Sequence, residues 1–286
     1  MLDLPTTTEQ GKAAVAMEAW QIKFRKPTHK PPTGVIQMIT EPRRLIAQLQ
    51  PTDAAEVLAE LTALPDNVFT IVWMPAGTKT SVSVERNAEA WVSGGQATGN
   101  KAPVRAGVRT VRVFWTLNRA LIYANPENIS SALDAVIRFT VTHLETIALE
   151  AEVGSTWAAI EADAPLTHSV TARQQRQQSH VDAMTLTATQ MKVKFLRITQ
   201  ALEQLDSSLE DISKRIYAEL VLAAALHDRL ELLEDPVQFA LEHYEVANTR
   251  LSEAKFARKE QRQALIGHVL EAAIVLLLLY PLHLFW

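Results

Sequence analysis

The sequence predicts an α+β protein: a small mixed α/β domain near the amino terminus, then a long antiparallel, coiled-coil-like helical hairpin, then a carboxyl-terminal transmembrane helix. Three observations predict it. Short β-branched and aromatic runs alternate with helical spacing over residues 34–124. Apolar residues recur in steps of three and four from Met191 onward. The chain closes on VLEAAIVLLLLYPLHLFW, which carries a single acid and no Lys or Arg. The expected segments are an arm and linker over 1–33, an α+β domain over 34–165, a helical hairpin over 170–263 and a membrane helix over 264–286.

Taken in order, residues 13–26 (AAVAMEAWQIKFRK) read as a short helix, broken by the prolines of KPTHKPP. GVIQMIT (34–40) and NVFTIVWM (67–74) read as buried strands. Between them Thr52-Asp53 opens a helix with Val57, Leu58, Leu61 and Leu64 at helical spacing. KTSVSVE (79–85) alternates and reads as a strand. The runs 108–115 and 119–124, separated by Thr116-Leu117-Asn118, read as a hairpin. SGGQATGNKAP (93–103) reads as a polar loop. After Asn125-Pro126 a helix carries Leu133, Val136, Ile137, Val141, Leu144 and Ile147, with Gly154 as its expected end. A second helical piece near Trp157 and Ile160 is closed by Pro165.

Met184, Met191, Phe195, Ile198, Leu202, Leu205, Leu209, Ile212 and Ile216 form a seam. Continued through Leu233, it predicts one helix of roughly 50 residues, ~75 Å long. The rival reading breaks it at Asp206-Ser207-Ser208, where Ser207 and Glu210 make a capping-box pattern. Asp235-Pro236 is expected to end this helix and open the next, which carries Leu241, Tyr244, Ala247, Leu251 and Ala254. In the resulting hairpin, Leu202, Leu205, Leu209 and Ile212 are expected to bury against Tyr244 and Leu251, or against another subunit.

The closing apolar run predicts one membrane span. Eighteen helical residues reach ~27 Å, against a hydrocarbon thickness of ~30 Å. Lys255, Arg258, Lys259 and Arg262 precede it, opposed by Glu260 alone, and such a basic flank stays on the cytoplasmic side. The same four residues would attract anionic lipid, so a lipid bilayer is an expected partner. His268 and Glu271 are the polar residues expected inside the membrane, near its entry. The alternatives are a helix buried within an oligomer, or one lying in the interface. The opening MLDLPTTTEQGK lacks a basic segment followed by an apolar one, and Asp3 and Glu9 count against a mitochondrial presequence. The expected location is therefore a single-pass membrane protein with a cytoplasmic amino-terminal body, a bacterial inner membrane being favoured.

Composition narrows the functions. Apolar residues are 48% and charged residues 21% of 286, which argues for folded rather than disordered chain. The 9 Gly argue against an all-β protein with many tight turns. A net charge of −4 gives no bulk attraction to nucleic acid, and no nucleic-acid partner is expected. With no Cys, disulfides, Cys-ligated zinc, iron–sulfur clusters and thiol nucleophiles are all excluded. GGQATGNK departs from a phosphate loop because Asn100 precedes Lys101 and Ala102 replaces the metal-binding hydroxyl. The 8 His include no HExxH and no pair at i, i+4, so no metal site is expected. His143 with Glu145, His180 with Asp182 and His227 with Asp228 point apart on a helix. Arg173, Arg176 and the neighbouring Gln residues read as a solvated hinge. Neither catalytic residues nor a cofactor site are expected.

In the carboxyl-terminal third, Asp235-Pro236-Val237-Gln238-Phe239, Tyr244, Asn248, Arg250-Leu251, and Leu270-Glu271 leading into AIVLLLL stand together. This pattern, over residues 210–280, resembles the end of the "required for meiotic nuclear division" family. Ala240 stands where that family carries an aromatic, and the amino-terminal portion does not match it. The resemblance implies a non-enzymatic, membrane-anchored scaffold that assembles into oligomers. The leading expectation is thus an oligomeric membrane-tethered scaffold, a homo-oligomer with an unidentified protein partner. The second is a membrane-perturbing effector controlled by its amino-terminal sensing domain. The third is an enzyme in the 34–165 domain, for which the sequence shows no polar cluster.

Overall fold

The computed structural model describes residues 17–27, 35–59, 68–76, 82–94, 102–168, 174–204 and 209–283. It is an α+β protein built from a mixed sheet of seven strands and long helices. The chain divides into two compact units, Met1–Glu150 with Lys194–Leu233, and Ala151–Val193 with Glu234–Trp286.

The first unit holds the sheet. Its strands are β1 (Glu18–Arg25), β2 (Val35–Ile39), β3 (Leu45–Thr52), β4 (Phe69–Pro75), β5 (Val104–Val108), β6 (Val111–Trp115) and β7 (Arg119–Ala124), in the spatial order β2-β3-β1-β4-β7-β6-β5. Among the described strands only β4 and β7 pair in parallel, with Val72 beside Leu121. That pairing needs a crossover, and the chain supplies one through α2 (Val82–Gly94) and the β5–β6 hairpin. Alternation along β4 sends Val72 and Met74 to one face, where α1 (Ala54–Ala59) and α2 cover them with Val57, Ala88, Trp91 and Val92. On the other face the Trp115 ring packs edge-on against Phe139 of α3 (Ile129–Asp163), centroids 4.9 Å apart, and Trp115 Nε1 donates to Thr140 Oγ1 at 2.8 Å. Both faces of the sheet are thereby buried, which is why β4 and β7 are buried at every residue.

Beneath Trp91 lies the fully buried Arg119. Its Nη1 donates to the Trp91 carbonyl at 2.7 Å, and its guanidinium sits 5.0 Å from the centre of the Trp91 ring. In the same unit α5 (Asp211–Ala223) is tied to α3: Ser213 Oγ donates to the Ser131 carbonyl at 2.6 Å, and the Ser131 hydroxyl donates to the Glu210 carboxylate. Arg229 forks onto Glu150, Nε to Oε1 at 2.8 Å and Nη2 to Oε2 at 2.7 Å.

The second unit is helical. It takes the end of α3, the start of α4 (Gln178–Glu203) and most of α6 (Leu226–His283). Its core includes Ile160, Val181, Ala188, Met191, Val237, Tyr244, Ala247 and Leu251.

Several expectations are corrected. Residues 264–286 were expected to span a membrane, but among the described residues no helix is long and apolar enough to cross one. The physical reason is charge. Within the expected span Glu271 is a full charge, and with His268 3.5 Å away it stands exposed on the surface of α6. Such a charge costs roughly 3 kcal/mol at a bilayer centre. The single-pass localisation, with its cytoplasmic and bacterial inner-membrane assignment, falls with the span. His268 and Glu271 are therefore not placed as intramembrane residues.

The long hairpin is also redrawn. Helix α4 stops at Glu203 and α5 begins at Asp211, so the seam does not run on one continuous helix. Ser207 lies outside the described residues, and the Glu210 carboxylate accepts from the Ser131 hydroxyl. The corner falls at Ala224-Ala225, between α5 and α6, and not at Asp235-Pro236, which α6 passes straight through. Residues 18–25, expected within a short helix of the arm, are strand β1. The expected strand over 79–85 is the opening of α2 from Val82. Gly154 does not end α3, which continues to Asp163. Most of the polar loop 93–103 and the helix continuation through Leu61 and Leu64 lie outside the described residues.

Candidate functional site

The features that bear on function lie on the outer half of α6. Repeated steps of three and four place Lys255, Arg258, Lys259 and Arg262 on one face of this helix. All four side chains are exposed, and among the described residues none makes an ion pair. Glu260 projects to the opposite side. With Asn248, Ser252 and Phe256 of the same helix, and Gln178 and Asp182 of α4, they line an open groove of about 670 Å³. Its floor is organised by one amide. Gln178 Nε2 donates to Asp182 Oδ1 at 2.9 Å and to Asn248 Oδ1 at 2.7 Å, joining the start of α4 to α6. Asp182 is the one acid in the lining, so the groove holds four cations against one anion.

Two turns further on, the same face turns apolar. Leu265, Ile266, Val269 and Leu270 are 66%, 60%, 62% and 57% exposed, with Ala272 and Ala273 completing the stripe. From Lys255 to Val275 every described residue is exposed except Gly267, which is intermediate. His268 and Glu271 occupy the other side of this stretch, Nδ1 to Oε2 3.5 Å apart and both well exposed. This is a surface pair one helical turn apart, not a buried contact.

The remaining seam residues are distributed between the units. Leu202 and Leu209 are buried and Ile212 is half-buried in the first unit; Tyr244 and Leu251 are buried in the second. Leu205 lies outside the described residues.

Sequence reasoning missed a buried polar cluster in the second unit. Asp163, at the end of α3, accepts the Tyr244 hydroxyl at 3.2 Å on the oxygen that lies 2.8 Å from His180 Nε2. His243 packs beside it, its ring 5.1 Å from that of Tyr244. Burial pushes the Tyr244 phenol far above its ordinary range, and the Asp163 charge and hydrogen bond add to this. The same burial holds the His243 imidazole below its ordinary value, against the opposing pull of Asp163. No spacing rule finds such a cluster, because Asp163 is 17 residues from His180 and 81 from Tyr244. His180 takes Asp163 as its partner rather than the nearby Asp182, in line with the helical geometry that sets i and i+2 apart. Among the described residues no group of three or more His, Asp and Glu is placed to hold a metal ion.

No family model matches the chain, and no curated protein matches it. Among solved structures, the full-length CmaX protein is similar to it with a TM-score of 0.34 and 12% identity, over 91% of this chain and 83% of that one. A likeness of that size carries no functional weight.

Proposed function

We propose that the protein is a self-associating interaction protein whose copies meet through the apolar stripe of α6. One observation carries this reading: Leu265, Ile266, Val269 and Leu270 are all more than half exposed along one face of a helix that has no packing partner there among the described residues. With the two alanines the stripe presents roughly 600 Å² per copy, so two copies would bury about 1,200 Å², the lower bound of a stable interface. Apolar patches above a few hundred Å² on a folded chain mark interaction surfaces. A two-fold pairing makes the stripe its own complement, which a single chain encoding one such surface requires. Helices that pack at a crossing angle confine the contact to the stripe and leave the 255–262 face open. The reading keeps the oligomeric, interaction part of the expected scaffold and drops the membrane tether. The resemblance of residues 210–280 to an oligomeric scaffold family points the same way.

Light scattering coupled to size exclusion tests it. The full chain should elute as a dimer or larger, and Leu265→Ser with Val269→Ser should convert it to monomer with unchanged helix content. A monomeric parent chain, or a variant that stays oligomeric, overturns the reading. So does a chain that is monomeric in solution and binds lipid vesicles through the stripe.

A further inference from the structure

The basic groove of the second unit is built for a ligand the apolar stripe cannot take. We infer that it binds a small molecule carrying two or more adjacent phosphate groups. Lys255, Arg258, Lys259 and Arg262 converge on one space from a single helical face, spaced i, i+3, i+4 and i+7. Like charges at i, i+4 repel, so this arrangement costs stability in the free protein, and the two such pairs, Lys255 with Lys259 and Arg258 with Arg262, are not offset by acids: the lining offers Asp182 alone. Glu260, which could pair with any of them in another register, faces away. A surface helix selected for solubility alone would intersperse both signs. Arg258 and Arg262 supply planar forks that suit phosphate oxygens bidentately, while Lys255 and Lys259 supply point charges. Four cations match a ligand of three to four negative charges and exceed what one phosphate needs.

The remaining lining adds further contacts. The groove is open on one side and its volume of about 670 Å³ leaves room for more than a lone phosphate. Ser252 and Asn248 add neutral hydrogen-bonding groups about one and two turns before Lys255. Phe256 is 63% exposed on the groove's edge and offers an apolar wall for the ligand's body. Asp182 accepts a hydrogen bond from Gln178, and its one charge against four cations leaves the net sign of the groove positive. All of its described lining belongs to the second unit of one chain, so this inference stands independently of self-association.

Calorimetric titration of the full chain tests it, with sodium triphosphate and with inositol 1,4,5-trisphosphate as free probes. Sedimentation with vesicles containing phosphatidylinositol 4,5-bisphosphate forms a separate arm. The expected result is saturable binding, one ligand per chain, weakening as salt rises. Arg258→Gln with Arg262→Gln should weaken it by about a hundredfold, since each charge-assisted bidentate contact is worth roughly tenfold. Arg250→Gln, which removes a cation paired with Glu253 outside the groove, should leave it unchanged. Binding of the free probes assigns a soluble ligand; binding of vesicles without the free probes assigns a lipid headgroup; either supports the clustered-phosphate site. Absence of binding in both arms overturns it, as does equal binding by the Arg258→Gln, Arg262→Gln variant. Repeating the titration on the Leu265→Ser, Val269→Ser chain separates this inference from self-association.

Discussion

One carboxylate oxygen of Asp163 accepts the hydroxyl of Tyr244 at 3.2 Å and lies 2.8 Å from Nε2 of His180, joining the end of α3 to α4 and α6. Tyr244 is fully buried and Asp163 nearly so, while His180 is half exposed. Asp163→Ala leaves the Tyr244 hydroxyl buried without its acceptor, a cost of about 1–3 kcal/mol. Asp163→Asn keeps an acceptor oxygen and should cost less. Tyr244→Phe removes the donor and the need together, for a loss of roughly 1 kcal/mol. Urea unfolding midpoints in the order Asp163→Ala below Asp163→Asn below the parent chain check this. Equal midpoints for Asp163→Ala and the parent would show that the carboxylate holds nothing together.

The second prediction concerns pH. His243 Nε2 is buried and has no hydrogen-bond partner among the described residues. Burial holds its pKa below the ordinary 6.5, with the Asp163 charge opposing. The unfolded chain therefore takes up the proton first as pH falls. Stability from neutral His243 is fully present above about pH 6.5 and declines as pH drops from there through the lowered folded-state value. His243→Gln should flatten thermal stability between pH 7 and 5 relative to the parent. An unaltered slope would remove His243 as its source.

How much of this was legible in the sequence depends on which elements announce themselves locally. β2, β4, β6 and β7 are dense in Val, Ile, Phe and Trp, and each stands near its expected place. β1 alternates Trp20, Ile22 and Phe24 with Gln21, Lys23 and Arg25, but the alanines and Met17 before it imitate a helix. Its strand state is enforced from outside, by antiparallel partners on both sides. α2 is the converse: two alternating valines suggest a strand, and the burial of Ala88, Trp91 and Val92 against the sheet selects a helix. Asp235-Pro236 suggests a stop, yet Pro236 lies on a half-exposed side of α6, and Leu232, whose carbonyl loses its donor, is exposed. For the candidate site, the four basic residues were visible as a cluster. Their convergence with Gln178 and Asp182 was not, because it depends on how α4 meets α6.

Two small residues stand in exchanged roles, which gives a third prediction. Gly154 sits inside α3, exposed, and an added Cβ there meets nothing within 4 Å. Gly154→Ala should stabilise the chain by roughly 0.5–1 kcal/mol, the helix-propensity difference. Ala225 turns the corner between α5 and α6 with φ of 50°, a left-handed conformation that an L side chain resists. Ala225→Gly should stabilise by about 1 kcal/mol, although glycine usually weakens a helical region. The sites are distant in sequence and share no partner, so the double variant should show the sum in its denaturation midpoint.

A fourth prediction comes from the alkaline limb. The Tyr217 hydroxyl is buried in the first unit, 3.1 Å from Thr142 Oγ1 and 3.4 Å from the Ala201 carbonyl, to which it donates. Burial pushes its pKa from 10.0 up to about 12, while the Thr142 hydrogen bond and the Arg138 charge pull the other way. A raised acid pKa means that the unfolded chain loses its proton first. Stability tied to the protonated phenol is complete below pH 10 and is lost as pH rises toward 12, to a total of roughly 2–3 kcal/mol. Tyr217→Phe forfeits the hydrogen bond, so at pH 7 it should be less stable by about 1 kcal/mol. It also removes the ionisation. Tyr123, raised to about 12 by burial and by Glu89 and Glu85, is left to give a residual slope in both proteins. The two stability curves should therefore converge above pH 10 and cross before pH 12, in urea unfolding followed by far-ultraviolet circular dichroism. Parallel curves across that range would mean that the Tyr217 phenol ionises in the folded chain as readily as in the unfolded one, and that its burial exerts no control over alkaline stability.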